Sequence, residues 1–215
     1  MNKTYISKDA NVRLKEYLAE CGRDIEFISS EGIVPKGISG HPDVFLCKIG
    51  CRDNSPLFFA SRNDLGMEYP YDSSYNAACT GKYFIHNFSC TAPALLRAAR
   101  ELGMIMIDVP QGYAKCSTAI VDEDSIITYD RGIAGACSSY PSLDVLLISP
   151  GNIRLDGYRT GFIGGCSGRI GDTFIFNGDV SQHPDFALML DFVESKGLTA
   201  KWFPEYQLTD IGSIL

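Results

Sequence analysis

The stretch "HPDVFLCKIG", residues 41–50, places a histidine and an aspartate two positions apart at the entrance to an apolar run. A histidine moves protons near neutral pH or contacts ligands, and a carboxylate beside it can hold a cation. Similar chemistry-bearing groups recur further on, at Lys115-Cys116, at Cys166, and at Asp210 with Ser213 near the C-terminus. A cysteine thiol becomes a nucleophile where its surroundings favour the thiolate. The candidate catalytic residues are therefore Cys116, Cys166 and His41, and the candidate ligand contacts are His41, Asp43, Lys115, Asp210 and Ser213. Each has a structural alternative. A His-Pro-Asp turn can cap a strand, its carboxylate bonding nearby backbone N–H groups. Lys115 is either a cation for an anionic ligand or a solvated residue at a strand entrance. A cysteine that recurs at one position of a repeat behaves as a small packing residue.

The remaining candidates point to structure. Eight cysteines lie at 21, 47, 51, 79, 90, 116, 137 and 166, and only Cys47 and Cys51 are close in sequence. No second pair follows at zinc-site spacing, so no metal is expected, and reduced, mostly buried thiols are the simpler reading. His86, in "KYFIHNF", alternates with Phe84 and Phe88 as a core or sheet histidine would, and His183 precedes Pro184 at a helix start, where capping explains it. The glycine-rich "GFIGGCSG" has neither dinucleotide-binding nor Walker spacing, so no nucleotide and no other cofactor is expected. A net charge of −7 without a basic run argues against nucleic acid as a partner. No apolar run approaches the roughly 20 residues that cross a bilayer. The start "MNKTYISKDA" lacks the apolar core of a signal peptide, so a cytoplasmic protein is expected.

These residues need elements to position them, and repetition reveals the elements. A small residue, then Cys or Gly, then Ser or Thr returns as Ala78-Cys79-Thr80, Lys115-Cys116-Ser117, Gly165-Cys166-Ser167 and Ile211-Gly212-Ser213. Second apolar runs are "PLFFASRND", "KYFIHNF", "SIITYD" and "TFIFNGD". Helices are predicted in "DANVRLKEYLAECG", with Asp9 or Asn11 as cap, in "APALLRAARELG", with Pro93 early and Gly103 as stop, and in "HPDFALMLDFVESKG". A weaker helix is "RGIAGACSS". Third strands follow in "DIEFIS", "MIMIDV", "LDVLLIS" and "LTAKWF". The unit is strand, strand, helix, strand. Five units fit one domain over residues 1–215 if the tail "TDIGSIL" supplies the first strand of a unit completed by "KTYIS", "NVRLKEYLAEC" and "DIEFIS" at the N-terminus. The unit beginning at His41 fits poorly, because "GMEYPYDSSY" offers neither helix nor third strand.

This α/β arrangement of ββαβ repeats resembles the pentein fold, a five-bladed β/α propeller whose last blade is closed by the N- and C-terminal segments. That superfamily contains the guanidino-group modifying enzymes: arginine deiminases, dimethylarginine hydrolases and amidinotransferases. Ribosome anti-association factors share the fold without being enzymes. The stretches "QGYAKCSTAIVDEDSIITYDRGIA" and "GFIGGCSGRIGDTFIFNGD" look like a small bacterial branch with no assigned activity. The resemblance implies that first-strand starts converge around the axis, bringing His41, Asp43, Lys115, Cys116, Cys166 and Asp210 together around a cavity for a small polar ligand. An enzyme of this fold would be a hydrolase or transferase acting on guanidino or amidino C–N bonds. The usual catalysts are nevertheless absent at the matching positions. "LTDIGSIL" has no cysteine, "TGFIGGCSG" has no histidine, and Leu46, Cys47 and Lys48 stand where carboxylates would follow Pro42-Asp43. The expectation is a ligand-binding protein without that chemistry, or alternatively a non-catalytic protein-binding or scaffold module.

Overall fold

The computed structural model describes residues 3–28 and 32–215. In chain order the elements are β1 (Lys3–Ser7), α1 (Val12–Glu20), β2 (Asp24–Ile28), α2 (Pro42–Phe45), β3 (Leu46–Lys48), β4 (Leu57–Phe59), β5 (Ala78–Cys79), β6 (Tyr83–His86), α3 (Pro93–Glu101) and β7 (Ile105–Asp108). They continue with α4 (Ala114–Ser117), β8 (Thr118–Asp122), β9 (Ser125–Thr128), α5 (Arg131–Cys137), β10 (Asp144–Leu147), β11 (Ser167–Ile170), β12 (Thr173–Phe176), α6 (Phe186–Ser195) and β13 (Thr199–Lys201). The protein is mixed α/β, with five small sheets and six α-helices among the described residues, and no sheet closes into a barrel.

One rule runs through the sheets. In β5-β6-β7, β8-β9-β10 and β11-β12-β13 the first two strands are antiparallel and the last two parallel, with a helix in the crossover. The sheet at the N-terminus keeps the parallel half, β1 with β2 across α1. Its antiparallel neighbour is the C-terminal tail: Tyr5 N–H donates to Leu215 O at 2.7 Å, and Leu215 N–H returns a bond to Tyr5 O at 3.1 Å. The sheet β3-β4 has only the antiparallel half. The poor match of "GMEYPYDSSY" to a helix and third strand therefore has a structural counterpart.

Strands of two to five residues in sheets this small are not stable alone. Each crossover helix supplies the missing apolar contact by packing between its own sheet and the preceding one. Leu95 and Ala99 of α3 meet Phe84 of their own sheet and Cys47 and Ile49 of β3 and the turn after it. Met189 and Val193 of α6 meet Phe174 and Phe176 on one side and Ala119, Val121 and Ile127 on the other. Leu14 and Leu18 of α1 meet Ile6 together with Ile175 and the tail residues Ile211 and Ile214. The caps follow the sequence: the Asn11 side chain accepts from Arg13 N–H at 2.9 Å, and Gly103 and Gly197 take left-handed φ values of 69° and 74° just past α3 and α6.

The first strands begin differently from the sequence expectation. "HPDVFLCKIG" is not a continuous strand, because Pro42–Phe45 form one helical turn and only Leu46–Lys48 enter the sheet. Ala114–Ser117 repeat the turn before β8, and residues 163–166 form a turn before β11. Pro42 favours this start, since its fixed φ and missing N–H suit the first helical position. In the unit that contains β5, Cys79 lies in the strand itself.

Candidate functional site

The five segments that precede or replace the first strands meet through a cycle of hydrogen bonds. Asp43 N–H donates to Gly212 O at 3.1 Å, Ser213 N–H to Gly165 O at 2.7 Å, Gly165 N–H to Cys116 O at 3.0 Å, and Lys115 N–H to Asn76 O at 2.9 Å. Asn76 closes the cycle through its side chain, Nδ2 donating to Asp43 O at 3.0 Å. Glycine is required where these backbones crowd. Gly212 has φ +72°, and a Cβ there would lie 2.2 Å from the Cβ of His41; a Cβ on Gly165 would lie 2.0 Å from Asp210 Oδ1. The glycines of "GFIGGCSG" and "DIGS" thus serve close approach, in keeping with the absence of a phosphate-loop spacing.

Inside the cycle the candidates bond one another. Ser213, held at φ 76°, donates its hydroxyl to Asp43 Oδ2 at 2.6 Å. Lys115 Nζ donates to Ser213 Oγ at 2.8 Å and to Gly164 O at 3.2 Å. The Cys116 thiol donates to the same Asp43 Oδ2 at 3.2 Å, and Asn76 Nδ2 donates to its sulfur at 3.2 Å. Desolvation by burial lowers the Lys115 pKa from its ordinary value, with Asp43 opposing the shift. Burial, joined by the charges of Asp43 and Asp210, pushes the Cys116 thiol well above its ordinary range. Burial does the same to Cys166, whose thiol donates to Ile163 O at 3.3 Å. These shifts run against a thiolate nucleophile at either cysteine.

The candidates divide by access. Asp43, Lys115, Cys116 and Ser213 are buried where the five segments meet. His41 and Asp210 lie at the edge of this meeting point and line a cleft of about 810 Å³ with Lys36, Arg154, Tyr158 and Gln207. Asp210 is fixed by Phe162 N–H to Oδ2 at 2.9 Å and Gly212 N–H to Oδ1 at 3.0 Å. Its pKa is raised, chiefly by desolvation, with His41 opposing. His41 Nδ1 stands 3.8 Å from Asp210 Oδ1 and makes no hydrogen bond, and Asp43 Oδ1 is likewise buried without one. The Asp43 side chain therefore does not cap backbone N–H groups. Asn76 escaped the sequence reading; its only signal was its place two residues before the repeat Ala78-Cys79-Thr80.

The other histidines are structural. His86 Nε2 lies 2.7 Å from Gly112 O and Nδ1 2.7 Å from Thr91 Oγ1, while His183 Nδ1 accepts from Asp185 N–H at 3.1 Å at the entry to α6. All eight cysteines are free, six of them buried. No helix among the described residues is long and apolar enough to cross a membrane.

No curated protein and no solved structure matches the chain. A family model does match over residues 52–215, a span that holds Asn76, Lys115, Cys116, Asp210 and Ser213 and leaves out His41 and Asp43. By that match the chain belongs to a family of unknown function, DUF6873.

Proposed function

We propose that this protein is a five-bladed β/α propeller of the pentein type that binds a small polar ligand in the cleft above His41 and Asp210, without the guanidino-modifying chemistry of that superfamily. The common strand rule, the Tyr5–Leu215 pairing and the hydrogen-bond cycle through residues 43, 76, 115–116, 165 and 212–213 support the propeller reading. The binding reading is carried by one observation. Two buried ionisable side chains stand at the wall of an 810 Å³ cleft, a volume typical of small-molecule sites. Charges of both signs line it, including Asp9 and Lys36, which suits a ligand that carries its own charged groups.

Thermal denaturation in the presence of amino acids, guanidino compounds, polyamines and nucleosides tests the reading. A ligand bound only by the folded state raises Tm with concentration. At least one class is expected to do so, and Gln207→Trp, an exposed cleft position, is expected to abolish the effect. No shift from any class, or the same shift in Gln207→Trp, contradicts it. The alternative of a protein-binding module rests on the segment that exposes Met67, Tyr69 and Tyr71, which are 56%, 53% and 68% accessible.

A further inference from the structure

We propose that His41, Asp43 and Cys116 form a binding site for a divalent transition-metal ion of the zinc type, using one nitrogen, one oxygen and one sulfur donor. The three buried side chains come from two turns that lie 73 residues apart between Asp43 and Cys116, yet one donor atom from each lies within 4.8 Å of the others. In a tetrahedral zinc site, bonds of about 2.0–2.3 Å put donors roughly 3.3–3.8 Å apart. Closure by about 1 Å at the widest pair would therefore suffice. No sequence spacing announces such a site, and the Cys47/Cys51 pair is not part of it.

A second, independent observation points the same way. His41 Nδ1 and Asp43 Oδ1 are buried polar atoms without a hydrogen bond. Leaving such atoms unsatisfied costs about 1–3 kcal/mol each. Asp43 Oδ2 already receives Ser213 and Cys116, while Lys115 reaches the carboxylate by hydrogen bonding only through Ser213, so Oδ1 receives no hydrogen bond. Asp210 Oδ1, 3.8 Å from His41 Nδ1, adds a further carboxyl oxygen beside the donors. On metal binding the Cys116 S–H bond gives its proton to solvent and the sulfur lone pair forms the metal bond. The mixed sulfur, nitrogen and oxygen set favours zinc or cobalt over magnesium or calcium, which take oxygen ligands. His41 lines the cleft, so an ion would enter there and carry its remaining coordination position toward it.

The inference deepens the cleft reading, and titration with metal alone separates the two: ligand-induced Tm shifts without metal uptake would overturn only the site, and metal uptake without ligand shifts would overturn only the cleft reading. The experiment is titration of the reduced, chelator-treated full chain with Co(II), followed by the near-ultraviolet thiolate-to-cobalt charge-transfer band. One equivalent is expected to bind. Cys116→Ser should abolish the band, and His41→Ala, at the cleft wall, should weaken binding at least about tenfold. Cys47→Ser should leave both unchanged; its sulfur lies 3.5 Å from that of Cys79 and is the competing soft site. Absence of a stoichiometric band in the wild type, its survival in Cys116→Ser, or its loss in Cys47→Ser overturns the proposal. Should Cys116→Ser fail to fold, undiminished cobalt affinity in His41→Ala overturns it, and the tenfold loss supports it.

Discussion

Removing the Asp43 carboxylate leaves the Lys115 ammonium buried with only Ser213 and the Gly164 carbonyl as partners. Breaking a buried charge arrangement on one side costs about 3–5 kcal/mol. Urea unfolding of Asp43→Ala should show a loss of about that size. Lys115→Met in the same background should recover part of it, giving an interaction energy of about 1 kcal/mol or more; additive losses would mean that the two charges do not sense each other. His86 makes a different prediction. Desolvation of the buried ring lowers its pKa from 6.5 to about 4, with the hydrogen bond to the Gly112 carbonyl opposing the shift. Between these values the unfolded chain binds the proton and the folded one does not, so stability falls as pH drops from 6.5 toward 4. The loss attributable to His86 is about 3 kcal/mol. The wild-type stability profile minus that of His86→Gln should show this slope, and a flat difference contradicts it. Residue roles were legible where alternation or a proline fixed them, as at His86 and His183. They were not legible for Asp43, whose partners come from segments 73 and 170 residues away.

At the scale of the element, local signals carried most of the reading. Asn11 caps α1 through Arg13 N–H, so Asn11→Ala should lower stability by about 1 kcal/mol in thermal unfolding without altering the Co(II) band; no change would mean that solvent replaces the cap. The four crossover helices and four third strands lie where period, cap and stop residues place them. The helical turns Pro42–Phe45 and Ala114–Ser117 escaped notice for a physical reason. One turn of helix has no periodicity, and these turns exist because their N–H groups bond to neighbouring segments, as Asp43 does to Gly212 and Lys115 to Asn76. Such tertiary bonds leave no mark on the local sequence.

Across the whole molecule, five small sheets gain stability by sharing helices and by meeting at one polar centre. The repeat Cys116-Ser117, Cys166-Ser167, Gly212-Ser213 was visible in the sequence because small residues recur where the segments approach closely, as at Gly165 and Gly212. The filling of that centre was not visible, because it depends on which side chains point inward at once: the expected cavity is occupied by Lys115, Asp43, Cys116 and Ser213, and the open space lies at its edge beside His41 and Asp210. In the propeller proposed above, the chain ends complete the ring, and the ring opens only when the whole protein unfolds. Native-state hydrogen exchange at the amides of Tyr5, Asp43, Lys115, Gly165, Ser213 and Leu215, each a donor in the contacts that join the segments, measures this directly. All six should exchange with the free energy of global unfolding. Rapid exchange at Tyr5, Ser213 and Leu215, with protection kept at Lys115 and Gly165, would show a frayed tail and contradict the account.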